Sequence, residues 1–363
     1  MTAWQGGPLQ RRLGLRYPIV QGPFGGGLSS ARLVAAVAEA GGLGSFGVHH
    51  LDGDGIARVV ADIRALTARP FALNLWLPFE DSEAIAADTS RHAAYAAALA
   101  PYFAELGVAL PAAPSRYAPA FDEQVEAVLA VRPAVLSFVF GVPSPGLLAR
   151  CRALGIVTIA AATTVAEAQA LEAGGVDMIV ASGSEAGGHR VSFLAPPEQV
   201  LTGTLALVPQ VVDAVRVPVI AAGGMADGRG VAAALMLGAA GAQLGTAFLA
   251  CEESAAASLH RQALFSPAAA DTALTRTFSG RLARGIRNRL LREGAALTPA
   301  PYPVQNWLMG ELKRAAFAAG RSDLGSLWCG QAAPLLQHRH AAALMAALVA
   351  QAEQLLGASC QPL

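Results

Sequence analysis

The sequence predicts an α/β protein, a (β/α)8 TIM barrel with an inserted cap of mixed α+β structure. Three observations lead there. Eight short apolar runs each end in small or turn-forming residues, helix-like stretches separate them, and a last apolar helix follows an irregular region between about 251 and 330. Uninterrupted apolar runs suit strands buried on both faces, as parallel strands joined by crossovers must be.

The first run, 17–21, opens into Gly22-Pro-Phe-Gly-Gly-Gly27. Ser30 is placed to cap the helix that follows, and Gly41-Gly42 to stop it. Strands at 43–48 and 71–76 come next, the second holding Asn74 near its end. A long excursion, with helices expected at 93–106 and 121–131, leads to a strand at 135–140. The units then tighten. A strand at 156–161 precedes a helix at 164–173 capped by Thr164, and a strand at 178–181 precedes a helix at 207–215. The seventh strand is 217–221, Asp227 opens the helix 231–237, and the eighth strand is 241–248. Beyond it the rhythm breaks into a helix at 255–264, strand-like alternation at 272–282, a basic stretch around 285–289 and a helix at 306–319. The helix at 340–356 is expected to close the barrel, giving a barrel over 1–250, a cap over 251–330 and a return over 331–363.

Composition narrows the function. Of 363 residues 54% are hydrophobic, and Lys+Arg and Asp+Glu balance at 26 each, so a phosphate-tracking nucleic-acid surface is disfavoured. Residues 1–16 lack the apolar core of a secretory signal, and the apolar run 341–350 is too short for a membrane span. Cys151, Cys251, Cys329 and Cys360 show no metal-ligand spacing, so a cytoplasmic protein without disulfides or a structural metal is expected.

Chemistry is expected where strands end, at the carboxyl rim of the barrel. The stretch Ser182-Gly-Ser-Glu-Ala-Gly187-Gly-His189 presents Glu185 and His189 there, with glycines that let a flat ligand approach the backbone. His189 is the candidate proton carrier, with His49 and His50 in reserve; His92, His260, His338 and His340 read as surface residues. Glu185 reads as a helix cap or loop brace. The turns Ala222-Gly223-Gly224 and Gln243-Leu244-Gly245-Thr246 favour phosphate held by backbone N–H groups over plain tight turns. Gln21, Gly22, Pro23 and Phe24 read as a wall beside a ligand ring, and Asn74 as a donor to a heterocycle edge or a simple strand stop. The G-x-G-x-x-G spacing of an adenine-dinucleotide loop is absent. Arg281, Arg284, Arg287 and Arg289 offer either an anion-attracting border or a solvated basic face.

At these residues the chain resembles the nitronate monooxygenase family, once called 2-nitropropane dioxygenases. The resemblance runs through Pro18-Ile-Val-Gln-Gly-Pro23, Asn74-Leu-Trp76, Ser184-Glu-Ala-Gly-Gly-His189 and Ala221-Ala-Gly-Gly-Met-Ala-Asp-Gly-Arg229. It continues in Gln243-Leu-Gly-Thr246, Phe278-Ser-Gly-Arg281, Arg284-Gly-Ile-Arg-Asn288 and Gly330-Gln331. It implies an FMN-bearing barrel that oxidises alkyl nitronates with O2 to carbonyl compounds and nitrite. By matching position, Asn74, Gly187, Gly224 and Gln243 to Thr246 would contact FMN, and His189 would be the active-site histidine. Two departures stand out. Ser182 replaces the family's usual Gln, which removes one flavin hydrogen bond or leaves it to water, and Val139 stands where many members carry a polar residue. Its implied partners are a small nitronate or nitroalkane and O2, and a homo-oligomer is compatible. Enoyl-acyl-carrier-protein reductases and NADH:quinone reductases share the flavin barrel and are the competing enzymes; a flavin-storing or sensing protein is the non-enzymatic alternative.

Overall fold

The computed structural model describes residues 6–79 and 81–358. Its strands are β1 (Ile19–Gln21), β2 (Gly44–Gly47), β3 (Phe71–Trp76), β4 (Val135–Val139), β5 (Val157–Ala162), β6 (Met178–Ser182), β7 (Gly188–His189), β8 (Val219–Ala222), β9 (Gly241–Leu244), β10 (Thr272–Thr275) and β11 (Ala283–Ile286). Eight of them form one parallel sheet in the order β1-β9-β8-β6-β5-β4-β3-β2. β1 also meets the lead-in to β2: the Gln21 N–H donates to Leu43 O and the Leu43 N–H to Ile19 O, both at 2.9 Å. That contact removes the sheet's edges, and the barrel predicted from the apolar runs is closed.

The barrel interior is packed rather than open. Val20, Ala72, Val135, Val157, Met178 and Ile220 cluster there with Leu9 and Leu13, from a short helix (Pro8–Leu13) that plugs the amino-terminal end. Outside, helices dock closely where a glycine allows it. At Gly44 a Cβ would overlap the Val34 carbonyl of the helix Ala31–Glu39. The expected caps form: Ser30 Oγ accepts from the Leu33 N–H at 3.0 Å, Thr164 Oγ1 from Glu167 at 3.1 Å and Asp227 Oδ1 from Arg229 at 3.0 Å. The last helix, Ala341–Ala358, sits in the closing position, where Gln351 Oε1 accepts the Gly228 N–H of the neighbouring helix at 2.8 Å.

Several expectations need correction. Helices Gly53–Leu66 and Pro145–Ala153 fill the crossovers after β2 and β4, for which the sequence reading set no helix bounds. The single helix expected at 93–106 is two, His92–Ala97 and Ala100–Glu105, because Pro101 opens a new first turn. β8 starts only at Val219: Pro218 lacks an N–H, and the Arg216 and Val217 N–H groups are taken by Glu172 Oε1 at 2.6 and 3.1 Å. The eighth barrel strand, β9, stops at Leu244, and Thr246–Leu249 is a helical turn. Alternation at 272–282 yields only β10, since Gly280, at φ 81°, turns the chain back into β11.

The region after β9 folds over the barrel mouth. β10 and β11 pair antiparallel, and β7, from the loop after β6, joins as a third strand. A second apolar cluster unites Leu99, Tyr102 and Phe103 with Leu308, Leu312 and Leu324, so the excursion after β3 and the cap share one core. No helix among the described residues is long and apolar enough to cross a membrane. Cys151, Cys251 and Cys329 are buried free thiols, and Cys360 lies outside the described residues.

Candidate active site

The loop after β6 is held by groups far away in sequence. Arg190, almost wholly buried, donates Nη1 to Gly183 O at 2.6 Å and to Ser182 O at 3.2 Å. Arg284 donates Nε and Nη2 to Ser184 O at 3.1 and 3.0 Å. The Glu185 carboxylate accepts the Thr204 N–H and hydroxyl at 2.9 Å, so it caps the helix Thr204–Ala214. With the loop pinned, Gly188 at φ 78° turns the chain into β7, where His189 lies opposite Ala283 and Gly188 opposite Arg284. His189 is therefore not the end of β6 but part of a separate strand completed by the cap.

This loop borders a cavity of about 290 Å³ at the carboxyl rim. Gly22, Pro23, Phe24, Asn74, Ser182, Gly187, His189, Gly223, Gly224, Gln243, Gly245 and Thr246 all line it. Gln21 and Leu244 do not. Gln21 is fully buried, its amide tied to the Ser45 N–H (2.8 Å) and Gly22 O, while Leu244 packs outward into the helix layer. Asn74 spends its NH2 on Ser137 O and Oγ, at 3.2 and 3.0 Å, so the amide oxygen is the part left for a ligand. Thr246 Oγ1 accepts the Gly330 N–H at 2.9 Å and keeps its own O–H to donate.

Across the cavity the wall is aromatic. His189 meets Trp76 edge to face at 4.9 Å and lies 5.3 Å from Trp328. Its Nε2 is 2.8 Å from Ser279 Oγ. Facing the cavity leaves His189 some accessible surface, yet protein encloses it; burial first, then the positive charge of Arg281, push it down to about 3. It is a neutral imidazole. His49 stacks on Trp76 with ring centroids 3.9 Å apart, and burial with three neighbouring cations or imidazoles lowers it well below the usual range.

Sequence reasoning missed Trp76, Phe278, Met309, Lys313 and Trp328 on this wall. Two signals were present: Trp76 shares the Asn74 face of β3, two residues on, and Asn306, Met309, Gly310 and Lys313 have the spacing of one helix face. His92 and His260, read as surface residues, are buried; His260 Nε2 lies 3.0 Å from Trp328 O and so holds the strip that carries Trp328. The basic segment is not a free patch. Arg284 braces the loop, Arg287 pairs with Asp271 at 3.0 Å, and Arg289 pairs with Glu105 and Glu293 at 2.7 Å.

The cavity suits a flat cofactor with an anionic tail. A Cβ at Gly26, Gly188 or Gly245 would meet no protein atom within 4 Å, so at Gly245, which faces the cavity, glycine keeps room for something other than protein. Gly223 (φ 105°) and Gly224 (φ 69°) supply the turn beside it.

A family model described as "Nitronate monooxygenase" matches residues 8–351. A Staphylococcus aureus (strain Newman) protein named "Probable nitronate monooxygenase" is 38% identical over 356 residues, covering 97% of this chain and 99% of that one. Among solved structures, a nitroalkane oxidase from Streptomyces ansochromogenes superposes with a TM-score of 0.87 at 38% identity, covering 97% of this chain and 99% of that one. FabK from Thermotoga maritima gives a TM-score of 0.74 at 25% identity, over 97% and 98%. With matches of this extent, the chain belongs to the nitronate monooxygenase family and is an oxidoreductase of that flavin-dependent group.

Proposed function

We propose that the protein binds FMN noncovalently and oxidises alkyl nitronates with O2 to a carbonyl compound and nitrite. The observation that carries this reading is the pairing, in one cavity, of glycine turns after β8 and β9 with neutral His189 set between Trp76 and Trp328. The bound flavin would supply the electron-accepting chemistry, and the chain supplies placement and proton handling. The cavity's charges favour an anion. Its carboxylate, Glu185, is consumed by Thr204, while Lys313, 3.2 Å from Ser326 Oγ, has no carboxylate partner among the described residues. Burial lowers Lys313 to about 8, which leaves it mostly charged at neutral pH.

The state of His189 refines the substrate. A histidine held near 3 is always ready to accept a proton but is a weak base, since charging it at neutral pH costs several kcal/mol. A nitronate arrives already deprotonated and needs only orientation. A neutral nitroalkane must first lose a proton to His189, and is the poorer substrate. Ser279, at 2.8 Å from Nε2, fixes the ring for either task.

The test is a product balance. FMN-loaded protein supplied with propyl-2-nitronate should form acetone and nitrite in equal amounts as O2 is consumed. No nitrite from any nitronate, together with brisk NADH oxidation, would replace this reading by the reductase one. A protein that cannot be reconstituted with FMN would sink the cofactor assignment.

A further inference from the structure

A second, smaller cavity of about 50 Å³ adjoins the first. His49 and Trp76 line both, so their stacked rings form the partition. The small chamber holds Arg281. Its guanidinium carbon lies 3.3 Å from the Phe79 ring centroid and 4.5 Å from those of Phe140 and Tyr302. Arg281 Nη1 is buried with no hydrogen-bond partner, and no carboxylate pairs with this guanidinium among the described residues. His49 Nδ1 is buried and unpartnered as well. Glu83, the carboxylate of the lining, is committed to Arg116 and to the Phe121 N–H at 3.1 Å.

Such an arrangement is costly unless something completes it. Aromatic faces offset part of the desolvation of a cation but accept none of its N–H bonds. Phe140 adds a second cost, for its φ of 75° is a left-handed conformation that a bulky residue rarely takes. That conformation sets its ring between Arg281 and Trp76, whose centroid is 4.9 Å away. Strain, a buried guanidinium nitrogen without a partner and a small recess thus coincide one ring away from His189.

We infer that this chamber is a small-oxyanion site, anchored by Arg281, that takes nitrite. The identity of the anion rests on the reaction proposed above; the anion-binding chemistry rests on the chamber alone. A guanidinium presents parallel N–H groups that match the two oxygens of a planar anion, and a space of about 50 Å³ suits an anion of only a few atoms. Nitrite released beside His189 has a cationic compartment behind the His49–Trp76 partition, and leaves the main cavity free for the next nitronate.

The experiment is calorimetric titration of sodium nitrite into FMN-loaded protein, replacing chloride at constant ionic strength. Wild type should bind nitrite at one site in preference to chloride. Arg281→Gln should weaken that binding by at least about tenfold, as loss of a charge-assisted bidentate pair does. Ala118 lines only the small chamber, so Ala118→Leu, which fills the space and leaves Arg281 in place, should weaken nitrite binding comparably. Flavin content and melting temperature identify a variant that has failed to fold; should Arg281→Gln fail, Ala118→Leu decides. Absence of nitrite binding by wild type at tens of millimolar, or unchanged binding in a folded Ala118→Leu, overturns the inference. A protein that makes no nitrite yet binds it through Arg281 would defeat the proposed reaction and leave the anion site standing.

Discussion

The two sides of the main cavity are built by different means. On one side, the turns after β1, β8 and β9 present backbone: Gly22, Gly223, Gly224 and Gly245 shape the wall by lacking side chains. On the other, His49, Trp76, His189, Phe278 and Trp328 present rings brought together from distant parts of the chain. A backbone wall depends on local conformation and suits a ligand whose shape is constant. A side-chain wall depends on packing between segments, and is where a change of residue alters substrate without unmaking the fold. Val139, an apolar residue lining this second side, is such a position.

The largest expected effect comes from the side-chain wall. His189→Asn should slow turnover of neutral nitroalkanes by about 10²–10⁴-fold, the usual loss of a general base, with far less effect on preformed nitronates. Steady-state rates for both substrates at equal flavin content check this. An equal loss with both would make His189 an orienting group for ligand or flavin.

Gly245→Val tests the backbone wall. Because a Cβ there meets nothing within 4 Å, the apoprotein should melt close to wild type. The added methyls would occupy the cofactor's space, and an overlap costing about 3 kcal/mol weakens FMN binding by about two orders of magnitude. Spectroscopic FMN titration reads it; unchanged affinity would place the cofactor elsewhere.

How much of this could be read in the sequence follows the same division. The glycine turns, the caps at Ser30, Thr164 and Asp227, and the barrel itself are local patterns, and each was legible. β7 was not, because it exists only by pairing with β11, far along the chain. The roles of Arg190 and Arg284 were hidden for the same reason: a buried arginine that donates to carbonyls looks, in sequence, like a surface charge. Gln21 was misplaced in the opposite direction, since it adjoins the Gly22 turn but points into the barrel closure.

His260 links the side-chain wall to pH. Burial, followed by the charge of Lys313, lowers it to about 3, while the unfolded chain titrates near the ordinary value of 6.5. Between those values the unfolded state binds the extra proton. Stability should therefore fall as pH drops below about 6.5, by about 1.4 kcal/mol per pH unit for such a group. Denaturant melts between pH 7 and 5 should show a shallower decline in His260→Gln than in wild type; an identical slope would remove His260 as a cause. The smallest effect belongs to the exposed pair Arg287–Asp271, whose loss in Arg287→Ala should cost at most about 1 kcal/mol and leave the salt dependence of kcat/KM unchanged. A clear change in that dependence would restore the idea of a steering basic face.

On the proposed function, the backbone wall holds the flavin and the aromatic wall admits a nitronate as its reductant. Anaerobic mixing of the FMN-loaded protein with propyl-2-nitronate or with NADH, following the flavin's visible band in a stopped-flow instrument, tests it most directly. Rapid loss of the oxidised flavin spectrum is expected with the nitronate and little change with NADH over the same time. Rapid bleaching by NADH with no response to the nitronate would contradict it.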